Sequence, residues 1–432
     1  MTLPRYLLPI FIGLLISVPA KADLIGHGGM VRSVDVSPNG DLVATGSFDY
    51  TARIWNFGDQ TEIAVLDLHE GPVTSVSFAP SGQQVITTSD DYSAIFWNLN
   101  TFKPLHRLTG HKHKVMTSAF SPDERHAATG AWDKTVRIWD LKNGKTVQVI
   151  NTNAPVNAVA FSADGAHVIS GGHFPVIEIW DAKSGTIVGK LEGHLGGITA
   201  LRVSPDGKSV LSASIDKTIK HWELETQKLI SSIDVRDGPV FDVTFSPDGT
   251  QAMTAGRDGY IVTWDLATGA PVQEIPAHEK IAWSARFSPD GRFAISTSSD
   301  EQARIWHLET GDRIGMTTTD DGRAKPWLTS DHPGAAIYTK CATCHSLSSD
   351  GPQRSGPHFE GLFGRKVGAV EGYRYSDALK SRDFVWDEKT IFQLFDEGPD
   401  VMLPGTKMPV QRVTNDDALK NLVDYLKVLT NP

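Results

Sequence analysis

The sequence predicts a multidomain chain: an all-β ring built from repeated units, followed by a small all-α domain. Three observations predict it. Tryptophan recurs at Trp55, Trp97, Trp139, Trp180, Trp222, Trp264 and Trp306, with steps of 42, 42, 41, 42, 42 and 42 residues. Within each step, apolar residues alternate with a period of two, as in Val31-Arg32-Ser33-Val34-Asp35-Val36. Beyond residue 331 the ladder stops and a helical pattern replaces it.

The ladder carries the first element. Self-similarity at this period marks a stacked or radial array. The alternating runs are broken by turns such as Ser37-Pro38-Asn39-Gly40, Ser204-Pro205-Asp206-Gly207, Ser246-Pro247-Asp248-Gly249 and Ser288-Pro289-Asp290-Gly291. Alternation punctuated by Pro and Gly is the pattern of antiparallel strands. Four such strands make one propeller blade, so seven units predict a seven-bladed propeller over residues 23–316. The ring is expected to close within 307–316, with Asp23 to Gly26 too short for a full strand but able to add to an edge.

Composition narrows the function. The 432 residues carry a formal net charge of −10, which argues against nucleic acid, since phosphate binding needs a cationic face. Residues 23–331 hold 27 Lys and Arg against 38 Asp and Glu, whereas 332–432 hold 12 against 13. The acidity therefore sits in the repeats. Solubility explains it, and a basic partner is the second explanation.

Residues 1–22 have the layout of a secretory signal: Arg5, an apolar run from Leu7 to Val18, and Ala20-Lys21-Ala22 ahead of Asp23. An uncleaved anchor is the alternative, although the run is short for a bilayer span. No second apolar run exists, so no stable membrane span is expected after cleavage. Export places the mature chain in the periplasm of a Gram-negative bacterium.

The repeats resemble the WD-repeat family. Trp139-Asp140, Trp180-Asp181 and Trp264-Asp265 keep its Trp-Asp pair; Gly26-His27, Gly110-His111 and Gly193-His194 keep its Gly-His pair; His69 and His278 keep the histidine alone. Asp49, Asp91, Asp133, Asp216, Asp258 and Asp300 each stand six residues before their Trp. The resemblance implies structural tetrads, among them those of His27, Asp49 and Trp55, of His111, Asp133 and Trp139, and of His194, Asp216 and Trp222. A buried imidazole and carboxylate must satisfy one another or each costs free energy. These histidines are therefore read as structural. Two units depart: the fourth has Asn151-Thr152-Asn153 and His173-Phe174-Pro175 where the His and Asp belong, and the sixth has Val235-Arg236-Asp237. Drift is one reading of the fourth unit. The other is a specialised surface where an aromatic and a histidine meet a partner.

Residues 317–331 lack periodicity and read as a loose linker. Ser330 or Asp331 can cap a helix with Pro333 in its first turn. That helix runs into Cys341-Ala342-Thr343-Cys344-His345, a haem-attachment motif. Cysteines at i and i+3 share a helical face, so both thiols can add to one porphyrin, and the following imidazole reaches the iron. A redox disulfide or half a zinc site would need a preceding strand or further Cys and His, and neither is present.

The segment from Gly356 to Gly368, Tyr373 to Ala378, Trp386, Pro404-Gly405-Thr406-Lys407-Met408 and a final helix from Leu419 to Leu429 resemble mitochondrial-type, class I cytochrome c over residues 332–432. The resemblance implies one covalent haem c on Cys341 and Cys344. His345 and Met408 become its axial ligands, with the Pro357 carbonyl holding the His345 ring. Arg365, Tyr375, Trp386 and Thr406 become haem-pocket residues, and Gly334 with Tyr425 lets the first and last helices cross. Phe395 replaces a frequent tyrosine near the methionine, and Asp400 with Val401 replaces lysines of the family's docking face, though Lys366 and Lys407 persist.

A six-coordinate haem with His and Met has no open position for substrate. The expected function is therefore one-electron transfer between redox protein partners, with the propeller as a docking scaffold for a protein partner and no catalytic residues assigned. The alternatives are a periplasmic oxidoreductase with its active site in the propeller and the haem as electron outlet, and a sensor or assembly role.

Overall fold

The computed structural model describes residues 23–235, 238–314, 327, 330–342, 345–349, 356–373, 375, 377–404, 406, 408, 412–413 and 415–430. The expected signal at 1–22, most of the expected linker, Cys344, Gly405, Lys407 and the Arg236-Asp237 pair lie outside the described residues.

Seven antiparallel sheets follow one another along the chain, at 31–66, 73–109, 115–151, 156–192, 198–234, 240–275 and 282–307. They are called blades 1 to 7. Blades 1 to 6 have four strands in sequential order, and blade 7 has three. The first strand of each blade touches the first strands of both neighbours, and Ala282–Phe287 touches Val31–Val36, so the ring is closed. Sequential hairpins need only tight turns. In three of them Ser204, Ser246 and Ser288 donate to Asp206, Asp248 and Asp290 at 2.6, 2.6 and 2.5 Å, and Gly207 takes φ +74°, a conformation that glycine adopts without strain.

Each four-stranded blade carries a register shift at its ladder Trp, between third and fourth strands, for example between Ile54 and Trp55. Bulges re-aim side chains and increase twist. The seven ladder indoles are buried, at 1 to 7% exposure. A buried indole N–H needs an acceptor, and each finds a Ser or Thr ten residues earlier. Trp55 Nε1 donates to Thr45 Oγ1 at 2.8 Å. The Thr45 hydroxyl lies 2.7 Å from His27 Nε2, and His27 Nδ1 lies 2.8 Å from Asp49 Oδ2. The chain of donors runs one way: indole N–H to hydroxyl, hydroxyl to Nε2, Nδ1–H to carboxylate.

The same quartet is present at His69, Asp91, Thr87 and Trp97, and at His111, Asp133, Thr129 and Trp139. It returns at His194, Asp216, Ser212 and Trp222, and at His278, Asp300, Ser296 and Trp306. Blade 4 keeps only Trp180 bonded to Ser170 at 2.9 Å, and blade 6 keeps Trp264 bonded to Thr254 at 3.0 Å.

Closure uses both ends of the repeat region. Ile314 N donates to Ile305 O at 2.8 Å, inside the segment 307–316 where closure is expected. Leu24 also bridges Ala303, its N–H donating at 3.1 Å, and its side chain is fully buried. The buried guanidinium of Arg313 pairs with both oxygens of Asp23. The short N-terminal segment therefore does more than extend an edge: it pins the outer side of blade 7.

The C-terminal unit has helices α1 (Ala335–Ala342), α2 (Asp377–Lys380), α3 (Glu388–Glu397), α4 (Pro399–Met402) and α5 (Asp416–Thr430). Leu419, Leu422, Val423 and Leu426 follow helical spacing and are buried against a core with Ala335, Tyr338, Ile391 and Leu394. Asp387 and Thr390 cap α3 reciprocally, at 2.7 and 2.8 Å. Gly334 lets the ends meet: a Cβ there would come 2.1 Å from the Asn421 carbonyl and 2.7 Å from Tyr425 Cβ. Trp327, in the expected linker, packs edge-on against Tyr338 at 5.4 Å.

Burial raises the Asp49 carboxyl, but the charge and hydrogen bond of His27, with Arg53 and Thr51, outweigh it and hold the group at about 2 against an ordinary 3.8. The unfolded chain therefore binds more protons between those values. The stability that Asp49 contributes is present above about pH 4 and is lost as pH falls through about 2. Asp216 behaves alike. Melting of the propeller followed by circular dichroism should show a midpoint that falls between about pH 4 and pH 2. Asp49→Asn should lower the midpoint at neutral pH and flatten part of that acid slope.

Candidate functional site

The last turn of α1 presents Cys341, buried among Ala342, Tyr338 and Phe359. Its carbonyl accepts the His345 N–H at 3.0 Å, so the turn continues to the histidine. Cys344, the second expected attachment residue, lies outside the described residues. The His345 Nδ1–H donates to the Pro357 carbonyl at 2.7 Å. A carbonyl can only accept, so this bond fixes the tautomer, with the proton on Nδ1. Phe359 stacks on the imidazole at 4.3 Å with planes 14° apart. Gly356 packs against the ring: a Cβ there would meet Cε1 at 2.3 Å.

The loop that follows brings the expected pocket residues together. Gly364 N donates to Trp386 O at 2.7 Å, and Trp386 N donates to Arg365 O at 2.9 Å. The Arg365 guanidinium donates to the carbonyls of Glu360 and His358, both at 2.8 Å. Burial lowers its pKa, which the nearby Tyr375 partly offsets; burial likewise raises Tyr375. Tyr375 Oη accepts the Val370 N–H at 3.3 Å, and Trp386 packs edge-on against Phe384. Met408 is half-buried and packs on the helical core, its N–H donating to Thr406 Oγ1 at 3.2 Å. Thr406 N donates to Leu403 O at 2.9 Å. Met402 packs on the same core, and Phe395 is buried within it.

These residues fit a c-type haem. The imidazole is aimed by a hydrogen bond on one nitrogen, a glycine leaves room beside it, and a buried thiol stands one turn before it. In the propeller, His173 lies against Trp132 at 5.3 Å, while Phe174 is 56% exposed.

The family described as WD domain, G-beta repeat matches residues 20–56, 60–98, 102–140, 144–181, 185–223, 227–265 and 269–307. The family described as Cytochrome c matches residues 332–430. The chain is a WD-repeat protein with a cytochrome c domain. Cytochrome c of Gibberella zeae is 41% identical over 95 residues, 22% of this chain and 89% of that protein. Cytochrome c of Stellaria longipes is 38% identical over 95 residues, 22% of this chain and 87% of that protein. Cytochrome c2 of Blastochloris viridis is 35% identical over 94 residues, 22% of this chain and 73% of that protein.

Membership implies one covalent haem c in the cytochrome c domain, electron transfer as its chemistry, and protein interaction as the role of the WD-repeat propeller. Among the described residues no helix is long and apolar enough to cross a membrane. Two features escaped sequence reasoning. The stacking of Phe359 on His345 left no pattern to read. Glu178 left one: two residues before the ladder Trp, blades 1, 3, 5 and 7 carry Arg53, Arg137, Lys220 and Arg304, blades 2 and 6 carry Ile95 and Val262, and blade 4 alone carries an acid.

Gly356→Ala should force the His345 ring aside. Overpacking of this kind costs about 2 kcal/mol. Denaturant unfolding of the cytochrome c domain within the full chain should show that loss, together with a smaller haem-loaded fraction.

Proposed function

We propose that this WD-repeat cytochrome carries single electrons in the periplasm, with His345 and Met408 as axial ligands and the propeller as the platform that selects its redox partner. The hydrogen bond from His345 Nδ1 to the Pro357 carbonyl carries this reading. It orients the imidazole and strengthens it as a donor. A haem c supplies one-electron oxidation and reduction, and a thioether ligand raises its potential.

The remaining groups support the same role. Cys341 and Cys344 would tether the cofactor. Arg365, Tyr375 and Trp386 surround one loop, where a guanidinium and a phenol can hold a propionate. Met408 lies on the core beyond Thr406. Carrying one electron requires no substrate site, only an orientation that brings a partner close. The acidic repeats would draw a basic partner toward the ring.

Localisation rests on the charged, apolar and small-residue pattern of 1–22. The test is expression in cells competent for haem attachment, followed by fractionation and N-terminal sequencing. The mature chain should be periplasmic and begin at Asp23. Met408→Ala should remove the sulfur-to-iron charge-transfer absorption and lower the potential, leaving the covalent haem in place. A cytoplasmic product, or a Met408→Ala spectrum and potential equal to the native ones, would contradict this reading.

A further inference from the structure

We infer that blade 4 holds a pocket for the guanidinium of an arginine side chain presented by a protein partner. The inference deepens the docking role proposed above and rests on it. In five blades a His and an Asp fill the space beside the ladder Trp. In blade 4, Thr152-Asn153 stands at the His position, in a loop one residue shorter, and Phe174 at the Asp position. Ser170 still accepts the Trp180 indole N–H. Loss of both groups leaves a cavity of about 310 Å³ between the loop 152–154 and the turn 171–174. That is room for about ten waters at roughly 30 Å³ each, and it lies at the small end of ligand-site volumes.

The charge of this cavity is unlike the rest of the ring. Arg304 pairs with Asp300 at 2.9 Å, and Arg53 pairs with Glu62, so blades 7 and 1 carry a cation of their own at this strand position. Glu178 replaces it in blade 4 and is 9% exposed. Its carboxylate accepts from the neutral amide of Asn153 at 3.0 Å. Lys190 lies directly across the strand pair and also lines the cavity, but its side chain is exposed. Among the described residues, Glu178 forms no ion pair. A desolvated carboxylate without a cation is costly, and an incoming cation removes that cost.

The walls favour a guanidinium over an ammonium. A planar fork can bond both oxygens of Glu178 and still donate to Asn153 or Ser170. Phe174, lining the cavity and exposed, offers an aromatic face to the cation. The occupant is the side chain of a protein because the surroundings suit one. Leu195 is 92% exposed and Ile215 51%, both in blade 5, whose Gly197 packs against the His173 backbone. An arginine anchored amid exposed apolar groups is a common hot-spot composition, and the acidic repeats attract a basic partner.

The test uses the full-length, haem-loaded protein and N-acetyl-arginine N-methylamide as probe, with its citrulline counterpart as the uncharged control. Saturation-transfer NMR should show the arginine probe bound and the citrulline probe unbound. Glu178→Gln should weaken binding at least about tenfold, as expected for losing a charge-assisted fork. Lys190→Met should strengthen it by removing the competing cation. Unchanged melting of the Glu178→Gln variant shows that the fold is intact; should that variant be unstable, Phe174→Ala must weaken the probe instead. Equal binding of the two probes, absence of arginine binding to the native protein, or equal binding to an intact Glu178→Gln variant would overturn the inference. Reversible reduction of the haem in the same sample reports separately on the electron-carrier reading, so either can fail without the other.

Discussion

The propeller depends on one buried chain of hydrogen bonds. An indole N–H donates to a hydroxyl, the hydroxyl to an imidazole, and the imidazole to a carboxylate. Each member would be costly to bury alone. Together they hold the loop before a blade to the turn between its second and third strands, and in the four-stranded blades the fourth strand bulges opposite the same Trp. This arrangement explains why the histidines belong to the ring and not to a reaction. All of their donors and acceptors are used internally, and Asp49 is kept ionised by the same contacts that bury it.

The cytochrome c domain solves a different problem. The helices described in it must leave space for a large cofactor and still bury enough apolar surface to fold. Glycine does this at two places. Gly334 allows the backbones at the start of α1 and in α5 to approach within the reach of a single methyl group, and Gly356 allows a loop to lie against the His345 ring. The Pro357 carbonyl then sets the imidazole, and Phe359 stacks beneath it. The residues that aim the imidazole thus come from the loop that follows it, not from the attachment motif itself.

Much of this was legible in the sequence because it repeats or because spacing forces it. Seven Trp residues at steps of 41 or 42, with alternating apolar runs between them, announce the blades. The Cys-x-x-Cys-His spacing announces the haem by helical geometry. What was not legible lacks a period. Closure of blade 7 uses single bridges at Leu24 and Arg313, too short to show alternation, and the Asp23 to Arg313 pair joins the two ends of the repeat region. The cavity of blade 4 depended on knowing that Asn153 and Phe174 leave space unfilled. Only then does the reversed charge of Glu178 gain meaning.

The two parts of the chain divide the work between them. On the proposed reading, the acidic ring chooses a partner and the small helical domain exchanges an electron with it. The most direct measurement of this division is a potentiometric titration of the purified full-length protein, with haem content quantified per chain. One covalent haem c per polypeptide, titrating as a single reversible one-electron step that full occupancy of the propeller by a ligand leaves in place, is the result this account predicts. A chain without covalent haem, or one whose absorbance does not follow a reversible one-electron curve, would contradict it.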